Sequence, residues 1–396
     1  TEFYLLMPLG GVVGGAFTAL LAPVIFNMVW EYPLVLVLVG LLRPWGKGKV
    51  DGLYLGALVA GAAVALAPVL LSLWLDADDD ARGVFYRVFP LGMGQLAMIM
   101  LIPAAICAFL VRDRAPVYTV ILVMIALSSQ WIARGYDWTY SERSFFGVMR
   151  VANVKDPRMG GDVHVLMHGT TLHGAQAQGG QNVCAPTLYY NVATPIGQSA
   201  LMVQQRGPAR IGVVGQGSGA MAAYKRAADR MTFFEIDPMV DKLSRDPKWF
   251  SYISDCAEGP IDTVLGDARL TLNHQPAHSY DLLIIDAFSS DAVPTHLLTA
   301  EAIRGYLRLL KPDGVVLLHL SNRNLEITLP AIAAAQQLGV PSLHQLYYET
   351  GESPDMAEAS TEALILSPTP EGLADFGRDP RWKAVKETSV RPWTDD

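Results

Sequence analysis

The stretch from Arg210 to Asp237 constrains the fold of this chain more than any other part of the sequence. It contains an apolar run, Ile211 to Val214, a glycine turn, a stretch of helix-forming composition from Ser218 to Ala228, and a second apolar run, Met231 to Ile236. The first run is short and β-branched, which is typical of a buried parallel strand. The stretch therefore predicts a strand, a turn, a helix and a second strand, the first unit of a doubly wound sheet.

The turn has glycines at alternate positions, which is typical of a loop that lets a ligand approach the backbone. Glu235 ends the second strand, 20 residues after Gly215, where an acid usually binds ribose hydroxyl groups. The turn reads GQGSG rather than GxGxxG, and no basic residue follows Glu235 closely. We therefore predict a nucleoside site that favours an S-adenosylmethionine-type ligand over a dinucleotide. The residues expected to bind it here are Gly215, Gln216, Gly217, Ser218, Gly219, Glu235 and Ile236.

Strands and helices continue to alternate after Asp237. The predicted strands are Thr263 to Leu265, Tyr280 to Phe288, Val315 to Leu320, Ser342 to Tyr348 and Ala363 to Leu366, and the predicted helices are Thr295 to Leu310 and Leu325 to Leu338. Ligands of doubly wound sheets bind beyond the carboxyl ends of the strands. Gly215, Glu235, Asp267 and Asp286 each follow or end such a strand, so we expect these four positions to meet in one crevice.

Three carboxylates near these strand ends are candidates for binding or chemistry. Asp267, followed by Ala268, is expected to accept a hydrogen bond from an adenine amino group; capping a helix is the alternative role. Asp286 ends the most apolar strand, where burial can raise the pKa of a carboxyl group, and we predict that it is a catalytic base. Asp291, five residues further on, is predicted as a second catalytic carboxylate, with a solvated or helix-capping role as the alternative.

A small antiparallel sheet is predicted before the large one. Its strands are Phe145 to Val154 and Asp162 to Met167, and a polar glycine hairpin spans Met167 to Gln176. Nothing in the spacing of the histidines in this region fixes a metal geometry, so we expect them to hydrogen-bond within the hairpin and predict no metal site. The second substrate is expected to contact Gln176, Tyr189 and Tyr190, although the two tyrosines could instead pack in the core.

The first third of the chain is too apolar for an ordinary soluble protein. The chain is 51% hydrophobic and 17% charged, and its mean hydropathy is positive. A membrane span needs about 20 apolar residues. Three or four spanning helices are predicted, or five if the shortest apolar stretch forms part of a bent one, and a lipid bilayer is the expected partner. The apolar stretches are Phe3 to Trp30, Leu34 to Leu42, Leu53 to Leu75, Val84 to Val111 and Val117 to Ile132.

Charge and cysteine content exclude other classes of partner and site. The net charge of −8 makes nucleic acid an unsuitable partner. The three cysteines, Cys107, Cys184 and Cys256, are scattered and form neither a metal pattern nor a disulfide pattern. A homo-oligomer is compatible with the sequence.

Several of these motifs resemble the spermidine synthase family: GQGSGA, FFEID, GDA and YDLLIIDAFSSD. The whole chain is similar to bacterial membrane proteins in which transmembrane helices are fused to a spermidine-synthase-like domain, a group for which HGTTLHGAQ and DAFSSDAVPTHLLT are typical. The enzyme resemblance covers roughly Ser144 to Pro368. It implies a small β-domain, a Rossmann-like domain that binds decarboxylated S-adenosylmethionine, and transfer of its aminopropyl group to an amine such as putrescine.

The resemblance also implies roles for individual residues. The glycine loop and Glu235 would hold the methionine and ribose parts, Asp267 the adenine, and Asp286 would deprotonate the attacking amine. The sequence departs from the family in three places. In the glycine loop Ser218 replaces an Asp, in the N-terminal hairpin Met167-His168-Gly169 replaces LDG, and in the diamine-binding segment Thr187-Leu188-Tyr189-Tyr190-Asn191 replaces DExxYHE. Two amine-binding carboxylates are therefore missing, which favours an acceptor other than putrescine.

Together these features predict an α-helical transmembrane domain at 1–134, a linker and small antiparallel β-domain at 135–200, and a Rossmann-like, S-adenosylmethionine-methyltransferase-type domain at 201–396. The predicted function is a membrane-anchored transferase that moves an aminopropyl group from decarboxylated S-adenosylmethionine to a small amine and releases methylthioadenosine. One alternative is another enzyme that uses S-adenosylmethionine itself, by methyl or aminocarboxypropyl transfer or by sulfonium cleavage. A nucleoside-regulated membrane transporter is the other.

Two arguments about the side of the membrane disagree. The basic residues Arg43, Lys47 and Lys49, and Arg112 and Arg114 further on, place two loops in the cytoplasm, and one more crossing puts the residues after 135 outside. A nucleoside cofactor is made in the cytoplasm, which requires the opposite placement. We expect the bacterial inner membrane with the catalytic domain in the cytoplasm.

Overall fold

The computed structural model of the chain describes residues 2–42, 52–78, 84–85, 93–132, 138–169, 171–287, 294–322, 325–350 and 356–396. The chain divides into two compact units, Thr1–Trp138 and Thr139–Asp396. The first unit is helical, and the second contains two sheets with their helices.

The first unit has a helical run from Glu2 to Ile25, made of α1 (Glu2–Ala16), a π-helical turn (Phe17–Leu21) and α2 (Ala22–Ile25), followed by α3 (Glu31–Leu41), α4 (Gly52–Ala77), α5 (Met93–Leu110) and α6 (Ala115–Ile132). Among the described residues, three segments have the length and apolar composition of a membrane span: Glu2–Ile25, Tyr54–Leu75 and Ala115–Ile132. Glu31–Leu41 and Gln95–Leu110 are apolar but shorter.

Helix α4 packs against α5 and α6 through a small residue at the contact. A Cβ atom placed on Gly61 would lie 3.0 Å from the Ile121 Cδ1 atom and 3.1 Å from the Cys107 Cβ atom. A larger side chain at this position would push the helices apart, as is common where apolar helices associate closely. Gly61 therefore sets the spacing of the three helices.

The second unit begins with a four-stranded sheet in the order β1-β2-β3-β4. Its strands are β1 (Trp138–Ser144), β2 (Gly147–Asp156), β3 (Gly161–His168) and β4 (Thr171–Ala177). β3 pairs antiparallel with both β2 and β4, which confirms the predicted small sheet and its glycine hairpin. Met149, Val151 and Leu166 of this sheet are buried with Trp249 and Phe250 of the larger domain.

The larger sheet has eight strands in the order β12-β10-β11-β9-β8-β5-β6-β7. The strands are β5 (Arg210–Val214), β6 (Arg230–Glu235), β7 (Asp262–Leu265), β8 (Tyr280–Ile285), β9 (Leu310–His319), β10 (Ser342–Tyr347), β11 (Thr361–Leu366) and β12 (Lys383–Ala384). The five strands from β9 to β7 are parallel, and β11, β10 and β12 extend the sheet antiparallel. The doubly wound prediction is confirmed, with an antiparallel edge added.

The central strands are apolar on both faces, as strands covered by helices on both sides must be. Side chains of one face, Ile211, Val213 and Ile284 among them, pack with the helix α7 (Pro195–Gln205). Those of the other face, such as Val214 and Ile285, pack with later helices. The remaining helices are α8 (Pro238–Arg245), α9 (Ala268–Asn273), α10 (Ala300–Leu309), α11 (Thr328–Leu338) and α12 (Ala374–Arg378).

Helices α10 and α11 begin later than predicted because polar side chains ahead of them accept their first backbone N–H groups. The Thr299 hydroxyl accepts from the Ala302 N–H at 3.2 Å, so α10 begins at Ala300. The Glu326 carboxylate accepts from the Thr328 N–H at 2.9 Å and starts α11. Such side-chain acceptors define helix ends.

The predicted helix from Ser218 to Ala228 is wrong: a five-residue 3-10 helix, Ala220–Tyr224, occupies this place. The chain then becomes extended at Lys225. Asp229 explains the early end, since its carboxylate accepts hydrogen bonds from the Arg226 backbone N–H at 3.3 Å and from the Arg226 guanidinium at 2.8 Å. A short acidic side chain that captures a nearby backbone N–H competes with helix formation.

The prediction that the cysteines form no disulfide is also wrong, because Cys184 and Cys256 are bonded. The bond joins the loop after β4 to the segment Tyr252–Cys256 across a separation of 72 residues. The two cysteines are far apart in the sequence and come together only in the folded chain, so their spacing gave no sign of the pairing. Cys107, in the first unit, is free.

We expect the disulfide to stabilise the second unit mainly by restricting its unfolded state. Closing a loop of 72 residues corresponds to about 4 kcal/mol in the chain-entropy treatment. Cys184→Ser should therefore lower the Tm of the second unit by roughly 10 °C. Thermal unfolding of the detergent-purified chain, followed by intrinsic fluorescence under non-reducing conditions, checks this. Cys107→Ser is the matched control, and an equal Tm in the two variants would contradict the prediction.

Candidate active site

A crevice lies beyond the carboxyl ends of the parallel strands, where the strand order reverses between β5 and β8. Gly215, Glu235, Asp267 and Asp286 line it together, as the strand-end pattern predicts. The crevice contains about 920 Å³ of empty space, including its open mouth. The strands thus bring residues from four separate parts of the chain into one place.

Most of the predicted site residues line this crevice, and some do not. Ser218, Gly219 and Gln176 lie outside its lining, and Asp291 is outside the described residues. The predicted residues that line the crevice are Tyr189, Tyr190, Gly215, Gln216, Gly217, Glu235, Ile236, Asp267, Ala268 and Asp286.

Gln176 is buried and its amide is fully engaged away from the crevice. Its Oε1 atom accepts from the Ser251 backbone N–H at 2.7 Å, and its Nε2 atom donates to the Val183 carbonyl at 2.9 Å and to the Ser251 hydroxyl at 3.0 Å. These bonds connect the end of β4 to Ser251. Gln176 therefore holds the small sheet against the larger domain.

Gly215 lets two neighbouring strand ends come closer than any side chain would permit. Its φ is +89°, and a Cβ atom placed on it would lie 2.1 Å from the carbonyl oxygen of Asp286. Backbone hydrogen bonds hold the arrangement, from Gly215 to the Phe234 carbonyl and from Asp286 to the Val214 carbonyl, each 2.9 Å long. Only glycine meets both requirements.

Glu235 is buried at the end of β6 and fixes the glycine loop. Its Oε2 atom accepts from the Gln216 backbone N–H and its Oε1 atom from the Asp237 backbone N–H, both at 2.9 Å. Burial raises the pKa of this carboxyl group, and the backbone donors oppose that rise. A carboxylate has about four acceptor positions, so the backbone donors leave acceptor capacity for a hydroxyl group of a ligand.

Asp267 caps a helix, which is its alternative predicted role, and it also lines the crevice; the hydrogen bond from an adenine amino group stays a prediction. Its Oδ1 atom accepts from the backbone N–H groups of Arg269 at 2.8 Å and Leu270 at 3.3 Å, which starts α9. Its Oδ2 atom lies 3.3 Å from the Nε2 atom of His296, another residue of the lining. One oxygen of Asp267 thus caps α9, and the other lies beside His296 of the crevice lining.

Asp286 lies at the centre of a buried polar cluster. The Tyr190 hydroxyl donates to its Oδ2 atom, and the His319 Nδ1 atom is 2.5 Å from its Oδ1 atom. The Asp286 side chain is 3% exposed and the His319 side chain 5%. Burial and the charge of Asp286 raise the pKa of Tyr190 well above its ordinary value, so the phenol stays a donor at neutral pH. The Tyr189 ring lies 4.9 Å from the His319 ring.

The small sheet supplies the wall opposite the strand ends. Phe146, Met149, Leu166 and His168 line the crevice there. The His168 Nε2 atom is 3.1 Å from the Phe146 carbonyl oxygen, and burial lowers the pKa of this imidazole, so it is neutral at pH 7. Among the described residues, no group of three metal-ligating side chains is placed to hold a metal ion.

The sequence interpretation missed His319, although the rule that found Asp286 applies to it. His319 ends β9, the strand beside β8, and follows the apolar run from Val315 to Leu318. A polar residue at the carboxyl end of a central parallel strand is a site candidate. His296 and Asp237 in the lining had no comparable signal.

The fold and the crevice define an α/β unit of the S-adenosylmethionine-methyltransferase type with a small antiparallel sheet before it. No family model matches the chain. A curated relative, the polyamine aminopropyltransferase of Vibrio vulnificus (strain CMCP6), is 30% identical over 114 residues, which are 28% of this chain and 36% of the relative. The chain thus matches just over a third of that relative's length, and the match supports a relationship to these transferases there.

Solved structures also resemble the chain. A probable spermidine synthase from Corynebacterium glutamicum ATCC 13032 has a TM-score of 0.45 and 17% identity, covering 66% of this chain and 95% of that one. A spermidine synthase in complex with the transition state analogue AdoDATO has a TM-score of 0.40 and 17% identity, covering 61% of this chain and 76% of that one.

Glu235→Gln tests whether the carboxylate organises a nucleoside site. Both oxygens accept backbone N–H groups, so an amide nitrogen would face one of these donors and lose that hydrogen bond, at about 1–3 kcal/mol. We expect the Kd for methylthioadenosine to rise roughly 10-fold or more, measured by calorimetry. Glu371→Gln, at an exposed position, is the control. Unchanged affinity in Glu235→Gln would show that this carboxylate does not support the ligand.

Proposed function

We propose that the second unit transfers an aminopropyl group from decarboxylated S-adenosylmethionine to an amine and releases methylthioadenosine. The observation that carries this proposal is a buried carboxylate, Asp286, in the same crevice as a glycine loop and the acidic residues Glu235 and Asp267. The curated relative is named for this chemistry and supports the proposal over its matched segment. A base beside a nucleoside site is what such a transfer requires.

Each part of the donor would meet a different strand end. The glycine loop after β5 leaves the backbone accessible, and Glu235 keeps acceptor capacity for a ribose hydroxyl group. Asp267, at the end of β7, would accept from the adenine amino group. The aminopropyl chain would then point towards Asp286, because the strand end of β8 lies on the other side of β5 from β6 and β7. This order places adenine and the reacting carbon at opposite ends of the crevice.

The reaction is a displacement at the carbon bonded to the sulfonium. The lone pair of a neutral amine forms the new N–C bond while the C–S bond breaks and its electron pair stays on sulfur. The sulfonium becomes the neutral thioether of methylthioadenosine, and the amine nitrogen carries the positive charge until it gives a proton to Asp286. The protein aligns the two reactants and takes up one proton.

The wall of the small sheet favours an amine with an apolar substituent. Phe146, Met149 and Leu166 present apolar surface, and His168 is neutral because burial lowers its pKa. A diamine would carry a second ammonium group against this apolar surface, where Asp237 is a nearby carboxylate, and moving a charge from water onto such a surface is costly. We therefore propose a monoamine, or an amine whose other end is uncharged, as the acceptor.

Product analysis tests the reaction class directly. The detergent-purified chain would be incubated with decarboxylated or intact S-adenosylmethionine, with and without a panel of amines, and products identified by mass spectrometry. Methylthioadenosine that forms only with the decarboxylated donor plus an amine is the expected result. Methylthioadenosine from the intact donor alone would indicate sulfonium cleavage, and S-adenosylhomocysteine would indicate methyl transfer; either outcome would replace the proposal.

Asp286→Asn should lower kcat by roughly 10²- to 10⁴-fold, the usual contribution of a general base. The amide keeps an oxygen that can accept from Tyr190, its nitrogen faces the Nδ1 atom of His319, and the side chain can no longer take the proton. Methylthioadenosine binding should therefore persist. Asp313→Asn, at an exposed carboxylate, is the control. Full turnover by Asp286→Asn would show that another group is the base.

We also propose that the first unit anchors the protein in the bacterial inner membrane with the catalytic unit in the cytoplasm, where the donor is made. Two features favour the opposite side: the basic loops of the helical unit, and the Cys184–Cys256 disulfide, since such bonds persist in oxidising compartments.

Paired reporter fusions at the carboxyl end decide the side. The cytoplasmic placement predicts a fluorescent fusion to green fluorescent protein and an inactive fusion to alkaline phosphatase. An active phosphatase fusion together with an oxidised Cys184–Cys256 pair in intact cells would overturn it. The sulfonium donor would then have to be supplied outside the cytoplasm.

A further inference from the structure

Asp286 is held on both of its oxygens, by the Tyr190 hydroxyl at Oδ2 and by the His319 Nδ1 atom at Oδ1. His319 ends β9, so a buried strand fixes its backbone, and the Tyr189 ring covers one side of its imidazole. The imidazole reaches Asp286 through Nδ1 and turns Nε2 away from it, towards Ser321. The proposed function uses Asp286 as a base but gives His319 no role.

The contacts show where the proton of this pair lies. The Nδ1 atom of His319 and the Oδ1 atom of Asp286 are 2.5 Å apart, and two bare acceptors would repel at that distance, so a proton lies between them. The Ser321 hydroxyl oxygen accepts from the Glu362 backbone N–H at 2.8 Å and lies 2.9 Å from the His319 Nε2 atom. Ser321 keeps a proton that it can donate to Nε2, and we infer the tautomer in which the imidazole proton is on Nδ1, directed at Asp286.

We propose that His319 is a positioning residue: its Nδ1–H group keeps the Asp286 carboxylate ionised and oriented for the attacking amine, while Ser321 sets its tautomer. This inference rests on the proposed function, in which Asp286 is the base. A hydrogen bond donated to a carboxylate favours its charged form. Tyr190 and His319 occupy two of its acceptor positions and leave the others for the amine.

The charges around the pair decide what removal of His319 would do. Tyr189 and Tyr190 face Asp286 from the other side, and burial raises the pKa of each phenol, so both remain uncharged at neutral pH. Glu362 lies near His319, and its carboxylate is bound by the His344 Nε2 atom at 2.8 Å. The Nδ1–H donor of His319 therefore has no substitute among these groups, because Tyr190 already donates to the other oxygen. Losing this donor should make Asp286 harder to ionise.

Two substitutions of His319 test the hydrogen bond of Nδ1 and the hydrogen bond of Nε2 separately. His319→Asn places an amide nitrogen near the Nδ1 position and can still donate to Asp286. His319→Gln reaches the Nε2 position near Ser321 and leaves Oδ1 of Asp286 without its donor. His274→Gln, at an exposed histidine after α9, is the control outside the site. A purely structural role for His319 would not distinguish Asn from Gln.

We expect His319→Gln to lower kcat roughly 10- to 100-fold with little change in KM. The acid limb of its kcat/KM profile should move up by about 1–2 pH units. His319→Asn should recover most of the kcat and most of the position of the acid limb. All variants should bind methylthioadenosine as tightly as the unsubstituted chain does. An unshifted acid limb in His319→Gln, or equal losses in the Asn and Gln variants, would overturn the proposal.

An infrared titration measures the ionisation of Asp286 without requiring turnover. The protonated-carboxyl band that disappears in Asp286→Asn reports the ionisation of Asp286, and its midpoint should rise in His319→Gln but not in His319→Asn. If the unsubstituted chain makes no methylthioadenosine, the proposed function fails. The infrared midpoint still decides the role of His319: a shift supports it, and an unshifted midpoint overturns it.

Discussion

The close approach of the strand ends of β5 and β8 is the constraint on which the rest of the site depends. The backbone of Gly215 lies against the carbonyl of Asp286, at a distance that excludes any Cβ atom. This approach puts the glycine loop, which leaves backbone accessible to a ligand, directly beside the carboxylate proposed as the base. In the proposed function, the glycine at position 215 would thus link donor binding to proton removal.

The sequence predicted the parts of the fold that depend on local pattern and on the geometry of parallel sheets. Apolar runs located the strands, and because the carboxyl ends of parallel strands share one edge, Glu235, Asp267 and Asp286 could be expected to meet. Contacts between residues that are far apart in the sequence could not be predicted in this way. The Cys184–Cys256 bond is one example, and the capture of the Arg226 backbone by Asp229, which ends the expected helix early, is another.

In the proposed function, acceptor recognition would depend on a different part of the chain from donor recognition, and this division would account for the departures from the spermidine synthase motifs. The strand ends of the large sheet keep the glycine loop and the carboxylates of Glu235, Asp237, Asp267 and Asp286 in the crevice. The small sheet contributes apolar side chains and the neutral His168 to the same space. Because the two sheets are joined through buried contacts such as the Gln176–Ser251 hydrogen bonds, the acceptor wall can change in composition without moving the donor site.

The antiparallel edge of the large sheet takes part in the site although it lies beyond the nucleoside half. β11 pairs with β9, with Ala363 opposite His319, and this register brings the Glu362 N–H to the Ser321 hydroxyl. That hydrogen bond leaves Ser321 a donor for His319, whose other nitrogen faces Asp286. A buried polar cluster is stable only when each member has a partner. The orientation of the proposed base, at the end of β8, therefore depends on the pairing of β9 with β11. No local motif around Asp286 encodes this dependence.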